Sequence, residues 1–154
     1  MYKSFTTIDT GPYSIKNLKT FKGMEGMGGF NLTLYKNGKR IGEVLNDDCG
    51  ACHMYQLPNS EFKVLLDHAK KVLGDEFEVE DYFIDEMINS LVNLKRFKSL
   101  SKHKTLFRLK GMDDGEWKSF NRKYDPQIRN AIVQKYGDEV EVILDEKLDN
   151  VLEI

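Results

Sequence analysis

Hydrophobic and polar residues alternate in Phe30-Asn31-Leu32-Thr33-Leu34-Tyr35-Lys36, and Ile41, Val44 and Leu45 supply apolar positions in Lys39-Arg40-Ile41-Gly42-Glu43-Val44-Leu45. A period of two belongs to a strand with one buried face. The intervening Asn37-Gly38 supplies the two residues that best tolerate positive φ in a type I′ turn. The pattern predicts a hairpin in which Leu34 faces Ile41 and Phe30 faces Leu45. Asn31, Thr33, Tyr35 and Arg40 then share its wet face.

Farther along, the period lengthens to that of a helix. Phe62, Leu65, Leu66, Ala69, Val72 and Leu73 line one face of a segment after Pro58, with Asn59 or Ser60 as its cap and Gly74 as its stop. From about Glu80 to Leu100 a second stripe carries Phe83, Ile84, Met87, Ile88, Leu91 and Leu94. Its acids (Glu80, Asp81, Asp85, Glu86) come early and its bases (Lys95, Arg96, Lys98) late, the order a helix dipole favours. Thr105-Leu106-Phe107-Arg108-Leu109-Lys110 and Glu116-Trp117-Lys118-Ser119-Phe120 predict a second hairpin through Gly111 to Gly115. Asp125-Pro126 places a cap and a helix-starting proline before Ile128, Ala131, Ile132 and Tyr136, with Gly137 ending the helix. Val140, Val142 and Leu144 alternate with Glu139, Glu141 and Ile143 in a last half-buried strand. This order predicts an α+β fold: a mixed or antiparallel sheet of two hairpins and a C-terminal strand, with three helices packed mainly on one face.

A chain of 154 residues suits a single domain, 1–154, that buries one core without disulfides or metal. Its net charge of -2 provides no overall attraction for phosphate or anionic membrane, so any anion site must be a local patch. Met1-Tyr2-Lys3-Ser4-Phe5-Thr6-Thr7 lacks the apolar core of a secretory signal, and no apolar run approaches membrane-spanning length. A cytoplasmic location without a membrane partner is the expectation, with Cys49 and Cys52 reduced.

Cys49-Gly50-Ala51-Cys52-His53 matches the C-x-x-C-H pattern that attaches c-type haem. Such haem belongs to exported chains, and no signal peptide is read here. A redox pair would want a helix starting at the first cysteine, yet Asp47 and Asp48 precede it and raise a thiol pKa. Zinc wants a fourth ligand that no second cysteine pair provides. The expectation is a loop with two small buried side chains and no cofactor. His53, His68 and His103 form no paired-histidine signature, and His68 reads as a solvated helix flank. With no G-x-S-x-G, and with Asp47-Asp48 and Asp113-Asp114 reading as turn residues, nothing demands an enzyme.

Two constellations could hold a ligand. In Lys22-Gly23-Met24-Glu25-Gly26-Met27-Gly28-Gly29, glycines let backbone amides approach an anion, although no Gly-Lys-Ser/Thr makes it a P-loop and a flexible entry loop explains it as well. Bases interleave with aromatics in Lys104, Phe107, Arg108, Lys110, Trp117, Lys118, Phe120, Arg122, Lys123 and Tyr124. Such a segment can pair guanidinium with phosphate and stack a base, or present only the solvated face of a strand bearing Leu106, Arg108 and Lys110.

Lys19-Thr20-Phe21-Lys22-Gly23-Met24-Glu25-Gly26, running into Gly29-Phe30-Asn31-Leu32-Thr33-Leu34-Tyr35-Lys36-Asn37-Gly38-Lys39, resembles a pattern in small accessory proteins of tailed bacteriophages. Lys104-Thr105-Leu106-Phe107-Arg108-Leu109-Lys110-Gly111 with Gly115-Glu116-Trp117 is similar to a second such segment. Together they cover under half the chain and bring no active-site residues. The resemblance implies a product of the infected bacterium that blunts host defence by binding a host protein or sequestering a nucleotide signal. The expectation is therefore a non-enzymatic phage-type accessory protein, without cofactor or metal, that binds a phosphate-bearing nucleotide. Its candidate ligand residues are Lys22, Gly23, Gly26, Gly28, Arg40, Arg108, Lys110, Trp117, Arg122 and Tyr124. The alternatives are a protein inhibitor whose wet hairpin face docks on a host defence enzyme, a single-stranded nucleic-acid binder and, last, an enzyme using Cys49 or Cys52. Self-association into a homo-oligomer is left open.

Overall fold

The computed structural model describes residues 8–26, 28–113 and 115–147, so Met1 to Thr7, Met27 of the glycine cluster and the turn residue Asp114 lie outside the described residues. The elements run β1 (Tyr13–Phe21), β2 (Gly29–Lys36), β3 (Lys39–Asn46), β4 (Met54–Gln56), α1 (Asn59–Leu73), α2 (Val79–Ser101), β5 (Thr105–Leu109), β6 (Lys118–Phe120), α3 (Pro126–Tyr136) and β7 (Val140–Ile143), with a 3₁₀ turn at Gly137–Glu139. The fold is α+β, and its strands divide between two antiparallel sheets of order β1-β2-β3-β4 and β6-β5-β7. The chain forms two compact units, whose boundary falls within α2 after Ser90.

In the first unit, Phe30, Leu32, Leu34 and Val44 of the sheet meet Leu65 and Ala69 of α1 and Val79, Phe83, Ile84 and Met87 of α2 in one hydrophobic cluster. Two bulges adjust the sheet to that core. In β1 an extra residue between Lys16 and Lys19, with Asn17 at φ 55°, breaks the alternation and makes this strand hard to recognise from its sequence. In the central hairpin an extra residue at Ile41 shifts the expected pairing, so Leu34 lies opposite Gly42 and Phe30 opposite Asn46. The shift has a physical reason. It brings Val44, fully buried, opposite Leu32, whereas the unbulged register would put Glu43 there. A side chain on Gly42 would collide with the Gln56 carbonyl and Leu57 beside it.

The turn itself is as the sequence predicts: Lys36 pairs with Lys39, and Asn37 and Gly38 have φ 51° and 75°. Gly38→Val is expected to lower stability by roughly 1–2 kcal/mol, because a β-branched residue resists the left-handed region. An unchanged urea midpoint would count against this turn. α1 starts as expected but is capped differently, since Pro58 is its N-cap and no side chain supplies a cap hydrogen bond. His68 is not a solvated flank either. Its ring contacts Tyr13 and Phe83, and its Nε2 lies 3.0 Å from the Asp9 carbonyl.

The second unit stacks α3 on its three-stranded sheet through Phe107, Ile128, Ile132 and Ile143, bordered by Phe120, Tyr124 and Tyr136. Asp125 caps α3 by accepting the Ile128 amide at 2.8 Å, with Pro126 in the first turn. Where chain length predicts one core, two hydrophobic clusters form. Among the described residues no helix is long and apolar enough to cross a membrane.

Candidate functional site

The loop from Gly23 to Gly26 folds onto the turn after β3 and uses its amides there. The Gly23 N–H donates to the Asp48 carboxylate at 2.8 Å, the Glu25 N–H to the Asp48 carbonyl at 3.0 Å, and the Gly26 N–H to the Gly23 carbonyl at 3.3 Å. Asp48 is buried and holds φ 58°. Its carboxylate takes the place an anionic ligand would need. Gly23 has no room for a side chain because the Asp47 carbonyl and Asp48 Cβ press on it, so the close approach is to the chain itself. Lys22, Gly26 and Gly28 are exposed around this closed loop.

The expected ligand residues are not gathered in one place. Arg40 is paired with Glu43 at 3.3 Å beside the hairpin turn. The glycine loop joins the opposite end of β2, which at about 3.3 Å per residue lies more than 20 Å away. In the second unit Arg108 is not on an exposed face: it is 3% exposed. Its guanidinium donates to the carbonyls of Asp113 (3.0 Å), Glu116 (2.6 Å) and Met112 (3.1 Å), and lies 5.7 Å from the Trp117 ring centre. The reason is that the β5–β6 connection has carbonyls without ladder partners, and a planar fork with several donors satisfies three of them at once. Trp117 packs on Phe97 as well. Arg122 pairs with Asp125 and Gln127 beside the α3 cap, and the Tyr124 hydroxyl donates to Glu146. Lys110 is exposed.

A second cluster, around His53 in the loop between β3 and β4, draws on β2, β3, β4 and α2. His53 packs edge-on against Phe30. Its backbone N–H donates to Asp81 Oδ2 at 2.9 Å, and the Tyr55 hydroxyl donates to Asp81 Oδ1 at 2.7 Å. One ring nitrogen, Nε2, lies 2.8 Å from Asp85 Oδ1, and the other, Nδ1, faces the Asn46 amide nitrogen at 3.0 Å. Asn46 is oriented by the Asp48 N–H, which donates to its Oδ1, and by the Ala51 carbonyl, which accepts from its Nδ2. Cys49 and Cys52 are free and exposed, not buried as the sequence suggests, because the loop turns its polar side inward to reach α2. Partial desolvation by its neighbours and the nearby acids, Asp47 first, push the Cys49 thiol pKa up, away from the reactive thiolate. Among the described residues no group of acids, histidines and cysteines is arranged to hold a metal ion.

Burial by itself lowers the His53 pKa. The Asp85 hydrogen bond and the charges of Asp81, Asp85 and Glu78 outweigh it, so the folded value lies above 6.5. Protonation also makes Nδ1 a donor facing the Asn46 amide, with Asp81 Oδ2 at 3.9 Å as the nearby acceptor. Since the folded pKa is raised, the His53 contribution is complete below the unfolded value and is lost as pH rises through the folded one. The stability difference between wild type and His53→Gln should therefore shrink as pH increases above neutrality. A difference that grows with pH would contradict the raised value. Burial and the hydrogen bond to Asp81 also push Tyr55 up, so its hydroxyl stays a donor throughout.

Two open hollows flank Tyr82 on the first unit. One, of about 520 Å³, is lined by Ile8, Leu73, Val79 and Tyr82 with Glu76 and Glu86 at its border. The other, of about 320 Å³, is lined by Asn46, Cys52, His53, Tyr82 and the carboxylates of Glu78, Asp81 and Asp85. Phe77, between Glu76 and Glu78 in the α1–α2 connection, is 83% exposed, and Tyr82 is 61% exposed. The sequence carries a signal for this surface. Tyr82 falls off the apolar stripe of α2, and seven acids with no base occupy the stretch from Asp75 to Glu86. The chain matches no protein-family description, no curated protein and no solved structure with which it was compared.

Proposed function

We propose that the chain is a non-enzymatic binding protein that docks on another protein through the α1–α2 corner of its first unit. The observation that carries this reading is the exposure of Phe77 and Tyr82 at this corner, where Tyr82 lines a hollow together with Ile8, Leu73 and Val79. Aromatic side chains at such a site are common anchors of protein interfaces, because they bury much area at small entropic cost. The resemblance to phage accessory proteins would make the partner a host protein met in the bacterial cytoplasm. A phosphate-bearing nucleotide, the other ligand the sequence suggests, has less to hold it. Arg108 and Arg122 are committed to carbonyls and to Asp125, the amides of Gly23, Glu25 and Gly26 are committed internally, and Trp117 is packed on Phe97.

The test compares the immobilised whole chain with its Phe77→Ala/Tyr82→Ala variant in bacterial lysate, beside thermal shift of the wild type against a nucleotide panel. A protein retained by the wild type and lost by the variant, with no nucleotide raising the melting temperature, is the expected outcome. Stabilisation by a nucleotide would restore the sequestration reading. Equal retention by both forms would move the docking face elsewhere, the wet face of the β2–β3 hairpin first. A wild-type dimer in sedimentation that the variant lacks would make the partner a second copy.

A further inference from the structure

Resting on that docking reading, we infer that the partner segment presents an apolar side chain beside a lysine or arginine. The apolar side chain seats in the hollow formed by Leu73, Val79 and Ile8, and the cation in the acidic hollow on the other side of Tyr82. Tyr82 lines both hollows, so the two are adjacent and a single short segment can reach them together. Their chemistries differ. The larger offers an aliphatic wall of Ile8, Leu73 and Val79 with Glu76 and Glu86 beside it, and the smaller collects three carboxylates against one imidazole. Within the smaller, Asp81 is occupied by the His53 amide and the Tyr55 hydroxyl, and Asp85, whose side chain is half exposed, already engages His53 Nε2 through Oδ1, which leaves exposed Glu78 as the first carboxylate to face an incoming cation.

The surroundings favour a cation over any other charge. Between Lys71 and Lys95 the sequence holds no base, and the stretch from Asp75 to Glu86 holds seven acids around Phe77 and Tyr82. Lys70 pairs with Asp75 at 3.1 Å, at the edge of that stretch. A partner bearing acids would face like charge here, whereas one bearing lysine or arginine is steered toward the site from a distance. The stem of either residue can also lie along the Tyr82 ring while its head reaches carboxylate.

A random dodecapeptide library displayed on phage and panned against the whole chain tests this directly. Enriched peptides should pair lysine or arginine with a neighbouring leucine, isoleucine or aromatic residue. For the best of them, measured by fluorescence anisotropy, Tyr82→Ala should weaken binding by about tenfold or more. Glu78→Gln should weaken it severalfold, and rising salt should weaken the wild type more than Glu78→Gln. Phe77→Ala serves as a second aromatic variant, since Phe77 is exposed and its loss leaves the core intact. Peptides without basic residues whose binding still needs Tyr82 would overturn this inference and leave the docking reading standing. Peptides indifferent to both Tyr82→Ala and Phe77→Ala, or no enrichment at all, would overturn both.

Discussion

Arg108→Ala should lower the stability of the chain by about 3 kcal/mol or more, the scale for removing one partner from a buried, hydrogen-bonded charge. The side chain is nearly fully buried on β5, and its two terminal nitrogens donate to three carbonyls of the β5–β6 connection. Glu141 on β7 brings a carboxylate to 3.6 Å from Nε, which has no hydrogen-bond partner of its own. Truncation therefore leaves unsatisfied acceptors, an uncompensated acid and a gap under Trp117, all in the smaller of the two sheets. Arg108→Lys should recover only part of the loss, because a point charge on a flexible stem cannot serve three carbonyls in a plane. Urea unfolding followed by circular dichroism measures both. A midpoint unchanged in Arg108→Ala would mean that the guanidinium is not held in this way, and would return Arg108 to the candidate ligand residues.

Asp81→Ala should be comparably damaging, at about 3 kcal/mol, since two donors lose a charged acceptor together. Its carboxylate joins the first turn of α2 to the loop after β3 and to β4 at once, through the His53 amide and the Tyr55 hydroxyl. The Tyr55 hydroxyl cannot relieve the loss by ionising, because its pKa lies far above neutrality. Asp81→Asn keeps one acceptor oxygen but turns an amide donor toward a second donor, so it should fall between wild type and alanine. Hydrogen exchange at residues 47–55 should quicken in both variants. If exchange there stays slow while global stability drops, the effect lies in the start of α2, near Glu80 and Asp81, and not in the loop.

Elements with an uninterrupted period were legible in the chain. The β2–β3 hairpin on Asn37-Gly38, the two long helices and the Asp125-Pro126 cap rest on interactions within a few residues, whereas the last strand was legible from its alternation although it pairs with distant β5. β1 was not legible, because the bulge after Lys16 breaks its alternation, and β4 is only three residues long. The hairpin register was misread by one residue for the same kind of reason: nothing local distinguishes a bulge at Ile41 from regular pairing. Of the candidate site, the glycine loop was visible as a glycine loop, but not the carboxylate that closes it.

The local pattern of the sequence thus determined the three helices, the strands other than β1 and β4, and the α+β class, since propensity, alternation and caps act over a few residues. Tertiary structure decided what those segments do with their polar groups. Arg108, placed by alternation on a wet face, is buried because the carbonyls it satisfies come from residues 112–116 and the acid near it from β7. Asp48 meets Gly23 across 25 positions, and His53 meets Asp85 across 32. Tyr82 comes to line a hollow only where α1, α2 and Ile8 converge. Charge and hydrogen-bonding groups find partners by distance in space, and no period along the chain records that distance.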